Sequence, residues 1–220
     1  MINFKKHKYN INKYPFKELI EELYGIKELS KIHLLKEDLL PEKLNFSNEA
    51  NTKFHRLFYD KLNNNWHNFI DIYKNFIKNE ISKLVKKPFL YQSLPTYRVQ
   101  LPNSQSVHKW HYDSDADHKH PDGEINFCIA ITEMKETTAI WSESEPGKKD
   151  FSPMEIDYGE YYHFNGNKCT HGNKKNVSNK SRISFDFRIM PYEKYNPNYN
   201  ILSVANKKKF EIGDYYQLFK

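Results

Sequence analysis

The heptapeptide Arg182-Ile-Ser-Phe-Asp-Phe-Arg188 alternates polar and apolar side chains without interruption. Successive side chains of a β-strand point to opposite faces, so the pattern predicts a strand with one polar and one apolar face. The apolar face should pack on a hydrophobic layer while the polar face points into the interior of a barrel. Because a buried charge must be paired, an inward Arg182 implies an anion beside it, either an internal acid such as Asp186 or a bound ligand.

Other short segments of strand character precede this one and are separated by turn residues such as Pro121-Asp-Gly and Asn165-Gly-Asn. The predicted strands are 95–101, 107–113, 124–132, 138–143, 154–157, 160–164, 169–172 and 181–190. Short strands at this spacing are typical of a sandwich, so the sequence predicts a mainly β fold of jelly-roll type.

The chain before residue 90 has helical periodicity. Apolar residues recur at helical spacing up to Gly25, again after a cap at Asn51 or Thr52, and along one long stripe between Trp66 and Leu84. A stripe this regular predicts a helix packed against a sheet. Pro41 is expected to interrupt the mixed stretch 26–48.

These patterns divide one integrated domain into three parts. Residues 1–90 are predicted to form a helical layer, 91–191 the β core, and 192–220 an extension that wraps the surface. The longest apolar runs span only a few residues, and Met1-Ile-Asn-Phe-Lys-Lys has charges without an apolar segment behind them, so we expect neither a membrane span nor a secretory signal. With only two cysteines, a cytoplasmic location is the expectation.

The net charge of +6 gives a weak attraction to anionic partners. The lysines are scattered, and no segment combines a dense basic run with aromatic residues. A solvated lysine surface is therefore favoured over a nucleic-acid interface. No pattern indicates an oligomeric state.

Three residues have the types and spacing of a metal site. His111 and Asp113 would share one face of the predicted strand 107–113, and His171 follows 58 residues after Asp113. Two histidines and one carboxylate form the facial triad of non-haem Fe(II) oxygenases and leave open positions for other ligands. A simple hydrogen bond between His111 and Asp113 is the alternative.

The order of these residues, followed by an Arg-x-Ser pair, resembles the Fe(II)/2-oxoglutarate-dependent dioxygenases. Further segments are similar to the branch of streptomycin-biosynthesis oxygenase-like proteins, which is related to phytanoyl-CoA-type hydroxylases. They are His111-Tyr-Asp-Ser-Asp, His120-Pro-Asp-Gly-Glu-Ile-Asn-Phe, Trp141-Ser-Glu-Ser-Glu-Pro-Gly-Lys and Arg182-Ile-Ser-Phe-Asp-Phe-Arg-Ile. The resemblance covers roughly residues 95–191 and implies a double-stranded β-helix, a cupin-like jelly roll backed by the N-terminal helices.

The resemblance also implies an activity and residue roles. His111, Asp113 and His171 match the Fe(II) ligands, Arg182 matches the residue that binds the distal carboxylate of 2-oxoglutarate, and Ser184 matches its companion hydroxyl. The implied reaction uses 2-oxoglutarate and O₂ as cosubstrates, releases succinate and CO₂, and hydroxylates a small polar substrate of sugar, aminocyclitol or nucleotide-sugar type.

Further positions are candidates for contacts within the site. Asn126 faces inward on the third strand and could donate to the 2-oxo acid or orient a metal ligand, or it is a satisfied core amide. Candidate substrate contacts are Arg98 and Gln100 on the first strand, Trp141 at the pocket mouth together with Glu143, and Arg188 beside Asp186. A solvent-facing Arg98 and a core Trp141 are the alternatives. Asn173 and Asn176, which flank His171, are expected to make turn hydrogen bonds.

The segment Asp113–Glu124 also has acidic residues at the spacing of a calcium loop, but His118 stands where that loop needs glycine and the flanks read as strands. His118 and His120 could bind zinc adventitiously, although a solvated loop over the site, able to act as a lid, is favoured. Two other functions remain open: a non-redox cupin-like isomerase or sugar-binding jelly roll, and a nucleic-acid demethylase-like dioxygenase, which rests on the basic charge and Arg188.

Overall fold

Ten β-strands and three α-helices are present in a computed structural model that describes residues 4–35, 52–105, 109–204 and 207–220. The helices are α1 (Phe16–Tyr24), α2 (Lys53–Asn63) and α3 (His67–Asn79). The strands are β1 (Phe4–Lys8), β2 (Phe89–Gln92), β3 (Thr96–Gln100), β4 (Ile125–Ala130), β5 (Ile140–Ser142), β6 (Ser152–Met154), β7 (Glu160–Phe164), β8 (His171–Asn173), β9 (Arg182–Pro191) and β10 (Tyr216–Phe219). Short 3₁₀ turns span Leu29–Leu34, Ile81–Lys83, Glu136–Thr138 and Tyr192–Lys194.

The strands form two antiparallel sheets. The seven-stranded sheet has the order β1-β7-β4-β9-β2-β10, and β3 also pairs with β9. The three-stranded sheet has the order β6-β5-β8. A mainly antiparallel architecture with a few helices agrees with the prediction of a jelly-roll-like fold.

Strand β9 confirms the alternation that its sequence predicts. Its apolar side chains belong to the main hydrophobic core, where Phe185 contacts Phe16, Phe58 and Phe69 at ring-centroid distances of 5.9, 5.6 and 5.2 Å. The helices thus cover one face of the large sheet. The polar side chains of β9 point the other way and line a cavity between the two sheets, so this strand carries the functional groups.

Three strands were not predicted. Strand β1 pairs with β7, and β2 lies between β9 and β10, so both ends of the chain join the large sheet. These strands are four or five residues long and pair with partners distant in sequence, and such short segments carry little periodicity. Residues 192–220 were predicted to wrap the surface, but they also include β10, an edge strand of the large sheet.

Other element boundaries differ from the prediction. The predicted strand 107–113 is wrong for its described part, because His111 forms only an isolated bridge and Asp113 lies in a turn. The predicted strand 154–157 is displaced, since β6 ends at Met154. Pro41, Asn51 and residues 107 and 108 lie outside the described residues.

The helical stripe is shorter than its sequence predicts. Helix α3 ends at Asn79, a 3₁₀ turn follows, and Leu84 is 40% exposed. Gly25 ends α1 in the left-handed conformation expected of a C-terminal glycine, with φ of 66°. None of the described helices has the length and apolar character that crossing a bilayer requires.

Helix α2 begins with a buried cap that makes stability sensitive to acid. The backbone N–H of Thr52 donates to Nδ1 of His55 over 3.3 Å, which requires that nitrogen to be unprotonated. Burial lowers the pKa of His55 to about 3, and the charge of Arg98 adds to the shift. In the unfolded chain His55 titrates near pH 6.5. Below that pH, His55 therefore binds a proton in the unfolded chain but not in the folded chain. The stability that neutral His55 provides is present above pH 6.5 and decreases as the pH falls.

We expect the free energy of unfolding to drop between pH 7 and pH 5, with about 2 kcal/mol of the loss due to His55. Urea unfolding of the wild type and of His55→Gln at both pH values measures this contribution as the difference between their pH dependences. Equal pH dependence in the two proteins would contradict the assignment to His55.

Candidate metal and anion site

The two histidines of the predicted triad are held together by the backbone. The N–H of His111 donates to the carbonyl of His171 over 3.0 Å, and the N–H of His171 donates back over 2.8 Å. His171 is the first residue of β8, in the small sheet. The two imidazoles meet, with ring centroids 4.7 Å apart, because of this isolated bridge and not because His111 lies in a strand.

Each imidazole is oriented by a backbone carbonyl close to it in sequence. Nδ1 of His111 donates to the carbonyl of Lys109 over 2.8 Å, and Nδ1 of His171 donates to that of Cys169 over 3.1 Å. The two Nε2 atoms are then free to act as ligands, and they lie 3.5 and 3.7 Å from Oδ1 of Asp113. A carbonyl on Nδ1 is the usual way in which proteins fix the tautomer of a metal-binding histidine.

Asp113 divides its two carboxylate oxygens between separate tasks. Oδ1 faces the histidines, whereas Oδ2 accepts from Nδ2 of Asn126 over 2.6 Å and from Nε and Nη2 of Arg188, each over 3.0 Å. Burial alone would raise the pKa of Asp113, but the charge of Arg188 and the smaller contributions of His111, His120 and His171 together outweigh it and hold that pKa well below its usual range. Burial lowers the pKa of His171 to about 4. An ionised carboxylate and neutral imidazoles are the protonation states that a metal ion requires.

The donor atoms of His111, Asp113 and His171 all lie within 4.8 Å of one another, close enough to hold one metal ion. Two imidazole nitrogens and one carboxylate oxygen suit a divalent first-row metal. The structure therefore brings together the three residues predicted as ligands.

Asn126 orients the carboxylate of Asp113, which agrees with its predicted role of orienting a metal ligand. Gly166 leaves the space for it, because a Cβ at that position would lie 2.7 Å from Cγ of Asn126. The amide is buried, and its Oδ1 has no hydrogen-bond partner among the described residues. Asn126 thus supports Asp113 from the side opposite to the histidines.

We expect Asn126→Ala to weaken metal binding by 10- to 100-fold, because partners of ligating groups typically contribute that much. Competition titration with a metal-chelating dye measures the affinity. Asn75→Ala, an exposed substitution on α3, is the control and should leave the affinity unchanged. An unaltered affinity in Asn126→Ala would show that Arg188 alone orients Asp113.

Arg182 is completely buried, and no described residue places a counter-charge in contact with it. Its Nη1 donates to Oγ of Ser184 over 3.0 Å, whereas Nε and Nη2 have no hydrogen-bond partner among the described residues. The internal acid considered from sequence does not neutralise it, because Asp186 accepts from Arg98 over 2.7 Å and from Arg188 over 2.5 Å. A buried guanidinium with two unused donors is a binding site for an anion.

Arg182 and the triad histidines line the same cavity between the sheets, with a volume of about 40 Å³. A second cavity of about 200 Å³ adjoins it and shares the lining residues His111, Arg98 and Arg188. Asp113 lines this larger cavity. The site therefore has a narrow end at Arg182, the candidate metal ligands in the middle, and a wider chamber beyond them.

The residues proposed for substrate contact have different surroundings. Arg98 and Arg188 line both cavities, but each guanidinium is bonded to carboxylates, so the prediction of a solvent-facing Arg98 is wrong. Gln100 is buried and donates to the carbonyls of Ser104, Thr137 and Lys174, so it lies away from the wider chamber.

Trp141 does not line either cavity. It is partly exposed, its Nε1 donates to the carbonyl of Glu136, and the ammonium of Lys174 lies over its ring. Its neighbour Ile140 lines the narrow cavity instead, because side chains alternate along β5. The expectation that Trp141 lines the pocket mouth is therefore wrong for this structure.

Residues around His171 mainly brace loops. Glu143 is buried and accepts from the backbone N–H groups of Thr170 and Lys149 over 2.6 and 3.0 Å. Asn176 accepts from the Ser178 backbone and hydroxyl, which confirms its predicted role in a turn. Asn173 is a buried member of the cavity wall and donates weakly to the carbonyl of Ala139 over 3.3 Å.

The loop Asp113–Glu124 is not a helix-flanked calcium loop. Its acidic side chains are bonded within the protein: Asp117 to Lys109, Asp115 to His118, and Glu124 to His120. A second set of donors, Asp113, His120 and Glu124, also lies within 4.8 Å. In this set Glu124 already accepts from both Tyr216 and His120, so its oxygens have partners without a metal.

Several residues of the wider chamber were not predicted from the sequence. Gln92 lies on β2, and Ser203, Val204 and Tyr215 belong to the C-terminal segment. They carry no motif, and the pairing of β10 with β2 brings Tyr215, which precedes β10, next to Gln92. A prediction of that pairing would have been needed to find them.

No family model matches this chain. The streptomycin biosynthesis protein StrG of Streptomyces griseus is 28% identical to it over 216 residues, which is 98% of each chain. Among solved structures, the non-haem alpha-ketoglutarate-dependent carbocyclase SnoK from nogalamycin biosynthesis aligns with a TM-score of 0.57 and 11% identity, covering 100% of this chain and 92% of SnoK. CytC3, solved with Fe(II) and alpha-ketoglutarate, aligns with a TM-score of 0.49 and 14% identity over 91% of this chain and 78% of CytC3. The chain shares its fold with SnoK, and its sequence is similar to that of StrG along nearly its whole length.

Proposed function

We propose that this chain is an Fe(II)- and 2-oxoglutarate-dependent oxygenase that hydroxylates a small polar metabolite and releases succinate and CO₂. The catalytic core would be a double-stranded β-helix formed by the two sheets. The observation that carries the proposal is the buried Arg182, whose two unused guanidinium donors lie in the same cavity as the His111 and His171 imidazoles.

The donor set fits the metal. His111, Asp113 and His171 would hold Fe(II) through two nitrogens and one oxygen, which leaves three of six positions for other ligands. Bound Fe(II) supplies the activation of O₂ and the oxidation of the substrate. The protein contributes the position of the carboxylate, fixed by Asn126 and Arg188, and the exclusion of water from the buried end of the site.

The charges fit a dicarboxylate. Three guanidinium groups, those of Arg98, Arg182 and Arg188, stand against the two carboxylates of Asp113 and Asp186. Of the three, only Arg182 lacks a carboxylate partner within the described part of the chain. A divalent metal adds two positive charges. An anion with one carboxylate on Arg182 and a second charged end at the metal would offset most of this excess of positive charge, and 2-oxoglutarate has that form.

Arg182 and Ser184 would bind the far carboxylate by a fork of N–H donors and a hydroxyl. The narrow cavity of about 40 Å³ adjoins the wider chamber at Arg98, His111 and Arg188, so 2-oxoglutarate would reach Arg182 through the chamber that the substrate fills afterwards. Ile140 and Phe164 line this cavity with no polar groups, so they can shift without breaking hydrogen bonds. We therefore expect an ordered entry of the cosubstrate before the substrate.

The names of similar proteins support this proposal. SnoK, whose fold the chain shares, is an alpha-ketoglutarate-dependent enzyme, and StrG is a streptomycin biosynthesis protein. A polar substrate of sugar, aminocyclitol or nucleotide-sugar type agrees with the name of StrG and with the polar walls of the wider chamber.

Incubation of the purified protein with Fe(II), ascorbate, O₂ and labelled 2-oxoglutarate tests the proposal. We expect labelled succinate to form slowly without substrate, and its formation to stop when Fe(II) is removed by a chelator. A protein that binds metal but neither binds nor consumes 2-oxoglutarate would contradict the proposed function and favour a non-redox role.

A further inference from the structure

His118 lies at the wall of the wider chamber with its ring fixed. Its ring stacks on that of His111 at a centroid distance of 3.9 Å, and its Nδ1 lies 2.8 Å from Oδ1 of Asp115. The same oxygen accepts from the backbone N–H groups of Asp117 and His118. A carboxylate oxygen that already accepts two hydrogen bonds can only accept a third, so Nδ1 of His118 carries the proton.

His120 is fixed in the same way on the other side of Asp113. Its Nδ1 lies 2.7 Å from Oε2 of Glu124, and the hydroxyl of Tyr216 donates to Oε1 of the same carboxylate. Glu124 is buried, and the ring of His120 packs against Phe210 at 4.9 Å. Nδ1 of His120 is therefore also a donor.

The second nitrogen of each ring follows from these contacts. In a neutral imidazole, a protonated Nδ1 leaves Nε2 as a hydrogen-bond acceptor. Neither Nε2 has a hydrogen-bond partner among the described residues, and both histidines line the chamber beside Asp113. Two acceptors with fixed rings thus stand next to the candidate metal ligands.

Two other residues of the chamber, Tyr215 and Gln92, already use their donors internally. The hydroxyl of Tyr215 donates to Oε1 of Gln92 over 3.1 Å, and Nε2 of Gln92 donates to the hydroxyl of Thr96 over 3.2 Å and to the carbonyl of Leu94 over 2.8 Å. The chamber therefore offers unused acceptors in the form of the two imidazoles. Its volume of about 200 Å³ leaves space for a single ring with its substituents.

We propose that His118 and His120 form a paired acceptor site that recognises two hydroxyl or amino donors on a compact single-ring polyol or amino-polyol. This inference rests on the proposed function, because it places that molecule as the substrate of the oxygenase. It narrows the substrate class to molecules that present two such donors on one ring. The two carboxylates, Asp115 and Glu124, determine the specificity indirectly by fixing which ring nitrogen is the acceptor.

Binding to the redox-inert Zn(II) protein in the presence of 2-oxoglutarate tests the proposal without turnover. The probes are myo-inositol and glucosamine, each compared with cyclohexanol, which has a ring of the same size and a single hydroxyl. Ligand-observed NMR titration should show at least tenfold weaker binding of cyclohexanol. His118→Phe and His120→Phe keep an aromatic ring for packing but remove both nitrogens, and each should weaken binding of the better polyol about fivefold.

His67→Phe, at an exposed position on α3, is the matched control and should bind the polyol as the wild type does. Thermal melts and 2-oxoglutarate titration show for each variant whether the fold and the neighbouring cavity are retained. Equal binding of polyols and cyclohexanol, or unchanged polyol binding in both variants, would overturn the acceptor site while leaving the proposed function intact. Failure of the wild type to bind 2-oxoglutarate would overturn the proposed function and this inference with it.

Discussion

Asp113→Ala is expected to abolish succinate formation, with a loss of at least a thousandfold. The substitution removes the single carboxylate of the candidate triad, and two imidazoles alone hold a divalent ion weakly. It also removes one of the two carboxylates that pair with Arg188, leaving Asp186 as the other. Metal affinity by chelator competition and labelled succinate release are the two measurements.

Asp122→Ala, an exposed substitution at the end of the same loop, is the control and should retain full activity. Loss of a buried ion pair can destabilise a protein by 3–5 kcal/mol, so a thermal melt must accompany the assay. His111→Ala is the second variant, since it removes a ligand that forms no ion pair with Arg188. Substantial succinate release by either folded ligand variant would contradict the assignment of the triad.

Arg182→Met is expected to separate stability from function. The substitution removes the guanidinium that would bind the far carboxylate of 2-oxoglutarate, so the KM for 2-oxoglutarate should rise roughly 100-fold. In the ligand-free protein the same guanidinium is buried with two unused donors, which costs about 1–3 kcal/mol. Ligand-free Arg182→Met should therefore unfold at a higher urea concentration than the wild type.

Arg188→Met is the matched control, because Arg188 is also buried but is bonded to Asp113 and Asp186. Its removal leaves Asp113 without a guanidinium partner and Asp186 with Arg98 alone, and should lower the stability. We propose that Arg182 binds a ligand and that Arg188 holds the carboxylates of the site in place. Stability changes of the same sign in the two variants would contradict this distinction. An unchanged KM in Arg182→Met would remove Arg182 from the 2-oxoglutarate site.

Side-chain alternation was the most informative part of the sequence. In β9 it placed Phe185 and Phe187 in the core and Arg182 and Asp186 on the cavity face, because a buried strand tolerates no change of register. The structure also brings together the three residues predicted as metal ligands, although not through the strand that the sequence predicted. His111 and Asp113 meet through a bridge to His171 and a turn, which local periodicity does not encode.

Contacts between distant segments account for what the sequence did not predict. Glu124 and Tyr216, whose hydrogen bond helps to fix His120, are 92 residues apart. Arg188 was considered as a substrate contact and as the basis of a nucleic-acid role, but it is buried between two carboxylates. Burial and pairing of this kind depend on the tertiary structure. The strand pattern around Arg188 is the same whether its guanidinium contacts a ligand or pairs with internal carboxylates.

Equilibrium titration of 2-oxoglutarate into the Mn(II)-loaded protein under anaerobic conditions tests the central claim most directly. A metal held by His111, Asp113 and His171 beside Arg182 predicts one 2-oxoglutarate bound per chain, with affinity that falls sharply when either the metal is omitted or Arg182 is replaced by methionine. Binding that is equally tight without metal and in Arg182→Met, or no binding at all to the metal-loaded wild type, would contradict it.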